Sequence, residues 1–396
     1  MILRRLLLPA LCAGTLALAA CGGGSAPEGG IGGSGKPLGT LRMSLGDAPA
    51  CGYDAVNITV QEVRVNQVAN AGDDDTGWVS LPVSPPQRVD LLTLTNGTLL
   101  TLGQTPLATG TYTQLRLVLA ANDANHPLAN SVVPTGGSEV PLTTPSAQQS
   151  GLKANADITV EENQLADFVI DFDACRSVVR AGHSGKYLLK PVIQVVPNFV
   201  SGIDGWVAPA AAQSGATVQA EVAGVVVKST VADATGHFLL EPMAPGTFDV
   251  VVTAPGRATS VVTGVVVADA QVSPLNAQAT AIDPPLSGTG TAQGTITTPD
   301  QPIEAEVAAL QALTGGVTVT VAFDPADAET GAYALELPVA APELAPYVAG
   351  LPPVFVAVPD AAGVYTLAAT WDGTTKTAGP LTLLADQVVT TDFTFP

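Results

Sequence analysis

Short runs of alternating apolar and polar residues, separated by turn residues, constrain the fold of this chain more than any other feature. One such run is Leu41–Leu45, and others begin at Val56 and Leu115. Alternation with period two places every second side chain on one face of a sheet. Pairs such as Asn96-Gly97 are typical of the turns between strands. We therefore predict an all-β fold, a multidomain arrangement of β-sandwiches of the Ig-like or transthyretin-like type.

The alternation changes phase once within a single run. Val56–Val60 alternates strictly, and Val63–Val65 continues with the opposite parity. A slip of one residue moves every following side chain to the other face of the sheet. The sequence therefore predicts a β-bulge or a break at Gln61-Glu62.

Residues 1–21 have the pattern of a secretory signal. Two arginines, Arg4 and Arg5, precede a short apolar run that ends in small residues. The run is too short to span about 30 Å of hydrocarbon, although an ordinary signal peptide and an anchor helix are the alternatives. The ending Leu18–Cys21 resembles the lipobox of bacterial lipoproteins. That resemblance implies that Cys21 is lipidated on its thiol and, after cleavage before it, acylated on its amine.

The location of the protein follows from this segment. We expect export and attachment to the membrane of the bacterial cell envelope through a lipid anchor. Gly22 follows the cysteine directly, where an aspartate would resemble an inner-membrane retention signal. We therefore expect the outer membrane.

Charge narrows the classes of partner. The chain has 15 Lys and Arg against 35 Asp and Glu, a formal net charge of −20. Such a chain repels phosphate backbones, which argues against nucleic-acid binding. Anionic lipid headgroups would repel it as well, so the acyl chains have to provide the attachment.

Two cysteines remain once Cys12 leaves with the signal and Cys21 takes the lipid. These are Cys51 and Cys175. Exported compartments are oxidising, so an even pair predicts one disulfide. Two free buried thiols are the alternative.

The chain divides into segments of different composition. A region of strand patterns follows a Gly/Ser-rich linker, and two similar units come after it. Both units contain an Asp-turn-Gly-aromatic block, at Asp233–Phe238 and within Ala326–Leu335, and the second carries an insertion around Pro338–Pro353. The predicted segments are the signal at 1–21, the linker at 22–38, and β-sandwiches at 39–198, 201–282 and 286–396.

Two known families resemble parts of the chain. Gly46–Pro49, Val89–Leu92, Gly110–Leu117 and Tyr187–Pro191 carry a resemblance of residues 39–198 to the bacterial domain of unknown function 4382. That family has no established activity, so the resemblance implies a domain and no reaction.

The second resemblance begins where the first ends. Residues 201–282 are similar to the carboxypeptidase regulatory-like, transthyretin-type β-sandwich, through Asp233–Phe238 and Pro245–Phe248. The similarity implies a spacer module or a carbohydrate-binding-like fold. It extends more weakly to 286–396.

Three carboxylates form the most evident candidate site. Asp167, Asp171 and Asp173 occupy the odd positions of a strand whose even positions are apolar, so they share one face. Carboxylate oxygens suit a hard cation, which makes Ca²⁺ the candidate cofactor. The alternative is a solvated face paired across the sheet with Arg116 or Arg176.

Exposed aromatic side chains are the second candidate. Trp371 opens a turn sequence, and Trp78 follows the acidic run Asp73–Asp75. Either one could provide a platform for a sugar ring. We expect the third tryptophan, Trp206, in the core.

No catalytic residue is assigned, and we expect a protein that is not an enzyme. Gly182–Gly185 is followed by Lys186 where a nucleophile elbow needs its second glycine, and by a strand pattern where the elbow needs a helix. The expected function is that of a non-catalytic envelope lipoprotein that displays β-sandwiches for binding or scaffolding. Its partner would be a glycan or an envelope protein. A carbohydrate-binding surface lipoprotein and a calcium-binding adhesin-like protein are the alternatives.

Overall fold

Strands dominate the computed structural model of the protein, which describes residues 36–47, 52–144, 151–190 and 192–396. Of these, Pro37–Pro396 form one compact unit. The prediction of an all-β fold built from several sheets is confirmed. None of the helices within the described ranges is long and apolar enough to cross a membrane.

The first part of the fold reaches to residue 197 and has two packed sheets. One has the order β12-β9-β1-β4, and the other has the order β10-β11-β7-β6-β2-β5-β8 with β3 beside β2. Met43, Ile58 and Leu117 belong to the core between them and are wholly buried. Its elements are β1 (Leu38–Asp47), β2 (Tyr53–Asn66), β3 (Val79–Asp90), β4 (Leu100–Ala108), β5 (Gly110–Leu119), β6 (Ser131–Pro134), β7 (Val140–Thr143), β8 (Leu152–Val160), β9 (Leu165–Phe172), α1 (Ala174–Ser177), β10 (Val178–Ala181), β11 (Lys186–Leu189) and β12 (Ile193–Pro197).

The long strand β2 contains the predicted bulge. Its register against both β3 and β5 shifts between Val60 and Glu62. Because of the extra residue, Val60, Val63 and Val65 all remain buried although their parity differs. The prediction made from the change of phase is confirmed.

The second and third parts follow along the chain. The second comprises β13 (Gly202–Trp206), α2 (Pro209–Gln213), β14 (Thr217–Val222), β15 (Val225–Val231), β16 (His237–Leu240), β17 (Gly246–Thr253), β18 (Ser260–Val267) and β19 (Val272–Pro274). The third comprises β20 (Thr289–Thr297), β21 (Ala305–Ala312), β22 (Thr318–Pro325), β23 (Ala332–Pro338), β24 (Glu343–Pro346), β25 (Val356–Ala357), β26 (Val364–Trp371), β27 (Thr374–Thr382), β28 (Val388–Thr390) and β29 (Phe393–Thr394).

These two parts have the same strand order. The second pairs β16-β13-β19 in one sheet and β15-β14-β17-β18 in the other; the third pairs β23-β20-β28 and β22-β21-β26-β27. Irregularities in register also correspond, since β17 shifts after Phe248 and β26 shifts after Tyr365. The shared strand order is that of a module which occurs twice. The domain boundaries drawn from the sequence stay a prediction.

The insertion in the third part joins the sheet of the second. Strand β24 pairs in parallel with β18 and so extends the sheet of the preceding module. On the outer face of that sheet, Val251 and Val261 lie in the same hydrophobic cluster as Val319 and Leu367 of the third part. One sheet therefore packs against its own module on one face and against the next module on the other.

Candidate functional site

The three aspartates proposed for calcium have separate partners. Asp167 on β9 lies opposite Arg42 on the parallel strand β1. Arg42 Nε donates to Asp167 Oδ1 at 3.0 Å, and Asn198 Nδ2 donates to Asp167 Oδ2 at 3.0 Å. Burial alone would raise the pKa of Asp167, but the hydrogen bonds from Arg42 and Asn198 hold that pKa below its usual value.

Asp171 and Asp173 face other groups. Lys228 Nζ on β15 donates to Asp171 Oδ1 at 2.6 Å. Asp173 caps α1, where its Oδ1 accepts from the backbone N–H of Arg176 at 3.0 Å. Burial raises the pKa of Asp173 to about 6, against the opposing effect of that N–H.

The alternative, a solvated face paired across the sheet with Arg116 or Arg176, finds support only in the contact of Arg176 with Asp173, because both guanidinium groups form their ion pairs elsewhere. The Arg116 guanidinium pairs with Asp73, and that of Arg176 pairs with Glu306. The partner of each guanidinium group depends on which loop or module packs beside it. The alternation of residues along one strand does not encode that packing. Among the described side chains no group of three or more His, Cys, Asp or Glu could hold a metal ion. The calcium site stays a prediction without a contact to support it.

Trp78 is half-buried, and its indole ring contacts other groups of the chain. Its indole Nε1 donates to the carbonyl oxygen of Gly72 at 2.8 Å. The guanidinium carbons of Arg64 and Arg116 lie 4.9 and 4.6 Å from its ring centroid. These cation–π contacts use the surface that a sugar ring would need.

Trp371 stands at the end of a hairpin. It is the last residue of β26, opposite Thr374 on β27. The two residues between them, Asp372 and Gly373, have φ of 44° and 70°, as tight Asp-Gly hairpin turns require. Its ring centroid lies 5.7 Å from that of Phe395, and the side chain is half-buried. The hairpin therefore holds one indole beside open space.

That space is a cleft of about 620 Å³ between the first and third parts of the fold. Trp371 lines it from one side, together with a segment around cis-bonded Pro302. Arg176 and Lys190 line it from the first part. An aromatic surface beside donors and acceptors is the chemistry that recognises polyhydroxylated rings.

Charges of both signs line this cleft. Arg176 Nε donates to Glu306 Oε2 at 2.9 Å, and its Nη2 bonds the other carboxylate oxygen. Lys190 Nζ donates to the carbonyl oxygen of Glu304 at 2.7 Å. Burial lowers the pKa of Lys190, although Glu304 and Glu306 oppose the effect. The polar groups join the two parts of the fold, and Trp371 is the aromatic side chain among the residues that line the cleft.

A larger cleft, of about 990 Å³, lies in the first part and was not foreseen from the sequence. Val118, Leu119 and Leu128 contribute apolar side chains to its lining, and His126 lines it as well. The Asp123 carboxylate accepts backbone N–H groups of Asn125 and His126, each at 2.7 Å. Those bonds lower the pKa of Asp123. The Asp-x-x-His spacing was the only sequence signal for this cleft. It marks a carboxylate that closes a loop by accepting backbone N–H groups.

The lipidation and disulfide predictions fall wholly or partly outside the described residues. Cys21 and Cys51 both lie there. Cys175 is buried in α1 and lines a cavity of about 80 Å³ together with Tyr53, which follows Cys51 by two residues. The expected pairing of Cys51 with Cys175 stays a prediction.

Family models match two stretches of the chain. Residues 38–191 match the domain of unknown function 4382, and residues 207–280 match the carboxypeptidase regulatory-like domain. Both resemblances recognised in the sequence, and their order, are confirmed. Comparison with curated proteins gives no match.

Solved structures also match. A type II cohesin–X-dockerin complex from Acetivibrio cellulolyticus is 27% identical over 21% of this chain and 55% of its own, with a TM-score of 0.18. The Bacillus anthracis TIE protein is 10% identical over 91% of this chain and 51% of its own, with a TM-score of 0.16. The major pilin BcpA of Bacillus cereus is 10% identical over 90% and 99%, with a TM-score of 0.14. The chain spans about half the length of the first two.

Proposed function

We propose that this chain is a non-catalytic lipoprotein of the bacterial cell envelope, which holds three β-sandwich modules together as one rigid display unit. The observation that carries the proposal is a set of partly buried polar contacts that cross from one module to another. Such contacts fix the relative geometry of the modules, because a buried charge that loses its partner is strongly unfavourable.

Two ion pairs connect the first module to the others. Lys228 of the second module reaches Asp171 of the first, and the exposed fractions of the two side chains are 8% and 17%. Arg176 of the first module forms a bidentate ion pair with Glu306 of the third. Paired guanidinium and carboxylate groups restrict orientation as well as distance.

Backbone contacts reinforce the same boundaries. Ala328 N–H of the third module donates to the carbonyl oxygen of Arg180 at 2.8 Å, and Gly182 N–H donates to Asp327 Oδ2 at 2.8 Å. Asn96, at the turn after β3, donates its backbone N–H to Thr230 Oγ1 of the second module at 2.8 Å. The first module therefore contacts both of the others through fixed main-chain positions.

The anchor is tested with the full chain in a bacterial cell. The native chain, labelled with a radioactive fatty acid, should carry the label and fractionate with the outer membrane. A Cys21→Ala variant should lose the label, and Cys12→Ala, with its cysteine inside the signal, should keep it. Label retained by Cys21→Ala would contradict the lipoprotein proposal.

A second candidate function is carbohydrate binding, and the Trp371 cleft favours it. A panel of envelope and plant glycans would be screened by calorimetry against the native chain, Trp371→Ala and the control Trp78→Phe. We expect Trp371→Ala to weaken binding by about tenfold or more, which is ~1.4 kcal/mol, with the control unchanged. A panel without binders, or binding unaffected by Trp371→Ala, would exclude this site.

A further inference from the structure

The insertion in the third module contains a long uncharged segment. In residues 344–359, between Glu343 and Asp360, the hydroxyl of Tyr347 is the only polar side-chain group. The chain around it is strongly acidic, with a net charge of −20. The corresponding position of the second module has no such insertion.

Ala345 and Val358, near the two ends of the segment, are buried, whereas several aliphatic side chains around its turn are exposed to solvent. We define the apolar tip as residues 346–356. Within it the exposed fractions are 50% for Val348, 60% for Leu351, 74% for Val354 and 66% for Val356. Each exposed aliphatic group is unfavourable in water, and a contiguous group of them marks a surface that meets an apolar partner.

The apolar tip is held at its base and turns at Gly350, which has φ of 77°. Tyr347 N–H donates to the carbonyl oxygen of Thr263 at 2.8 Å, and its hydroxyl donates to the carbonyl oxygen of Pro274 at 3.2 Å. Beside it lie two more exposed valines, Val266 and Val272, which with Tyr347 line a groove of about 500 Å³. The exposed surface is therefore fixed relative to the second module.

We propose that the apolar tip inserts into the headgroup–acyl boundary of an uncharged or zwitterionic phospholipid bilayer and so orients the module unit against the membrane. This inference rests on the proposed function, because the lipid anchor is what would bring the tip to that surface. An interfacial contact of this kind depends on buried apolar area and adds to the affinity from the acyl chains.

Other occupants fit less well. Residues 22–35 contain a single large aliphatic side chain, Ile31, and so offer little apolar surface for such a contact. A second copy of the chain would need a stable interface of roughly 20 residues a side, whereas the tip is a turn of 11 residues, 346 to 356. The acidic chain disfavours anionic lipids and leaves neutral ones.

The experiment uses the unacylated chain that begins at Gly22, because Pro37–Pro396 form a compact unit. The chain would be floated with phosphatidylcholine vesicles and compared with the double variant L351D/V354D. A matched control is V225D/L286D, two aliphatic residues with exposed fractions of 65% and 78% outside the tip. Because all four positions are exposed, each variant should keep the native circular dichroism spectrum and melting temperature.

We expect the native chain and the control to float equally, and the tip variant to partition about tenfold more weakly or worse. High salt should leave native binding intact, since the contact is apolar. Absence of flotation, equal loss in both variants, or assembly of the chain into dimers in place of flotation would overturn the proposal. The outcome is independent of the acyl-labelling test, so the two proposals can fail separately.

Discussion

At the scale of single residues, the ion pair of Lys228 and Asp171 is the most informative contact. The two residues belong to different modules, and both side chains are mostly buried. A buried pair contributes little net stability when it is intact, but removal of one member leaves an uncompensated charge. The pair therefore acts by fixing how the modules meet.

Replacement of Lys228 by Met should destabilise the chain by about 3 kcal/mol, because Asp171 would remain charged and buried. Equilibrium denaturation in urea measures the change. Lys186→Met, at an exposed lysine, is the control and should change stability by less than about 0.5 kcal/mol. The double change K228M/D171L should recover most of the loss, and a double variant no better than the single one would contradict this role.

A second residue, Glu221, makes the contact between the second and third modules sensitive to pH. Its side chain is fully buried, and its Oε2 accepts the backbone N–H of Thr320 at 2.9 Å. Burial raises the pKa of Glu221 to about 8, against the lowering effect of that N–H, and the nearby Asp249 raises the pKa further. The folded chain therefore keeps Glu221 protonated at neutral pH.

The sign of the pH effect follows from linkage. Below about pH 4.5, the pKa of Glu221 in the unfolded chain, the residue is protonated in both states and does not change the free energy of unfolding. Between about 4.5 and 8 the unfolded state releases a proton that the folded state retains, so stability falls as pH rises. Glu221→Gln, which mimics the protonated form, should therefore stabilise the chain at pH 7 by about 3 kcal/mol.

Urea denaturation at several pH values tests this. The gain from Glu221→Gln should be small near pH 4 and should grow towards pH 8, whereas the exposed control Glu336→Gln should show no such trend. A gain that does not vary with pH would show that Glu221 is ionised in the folded chain.

At the scale of elements, strand β24 joins two modules by extending the sheet of its neighbour. Ala345 at its centre is fully buried, opposite Val262 of β18. Ala345→Asp places an unpaired charge there and should cost about 3 kcal/mol or more in unfolding free energy. Ala349→Asp, four residues on and exposed, should leave the same urea midpoint unchanged. Equal effects of the two variants would argue against the added strand.

The elements also show how far the sequence predicts the structure. Alternation located the strands, and a change of parity located the bulge at Gln61-Glu62, because both are local properties of one strand. Asp167 and Asp171 lie on one face of β9 as predicted, whereas Asp173 follows the strand and caps α1. The partners Arg42 and Lys228 are set by tertiary packing. The addition of β24 to another module and the larger cleft depend on packing in the same way.

At the scale of the whole molecule, the modules are joined by more than their linkers. A sheet of the second module packs against its own core and against the third module, and the first module forms ion pairs with both. Modules that fold independently and are joined only by flexible linkers would need none of these contacts. We therefore expect the three modules to unfold cooperatively as one unit.

Differential scanning calorimetry of the chain that begins at Gly22 tests this most directly. We expect one transition whose calorimetric and van't Hoff enthalpies agree, and the same single transition at lower temperature for Lys228→Met. Separate transitions for the three modules, unmoved by Lys228→Met, would contradict the claim that the chain displays its modules as one rigid unit.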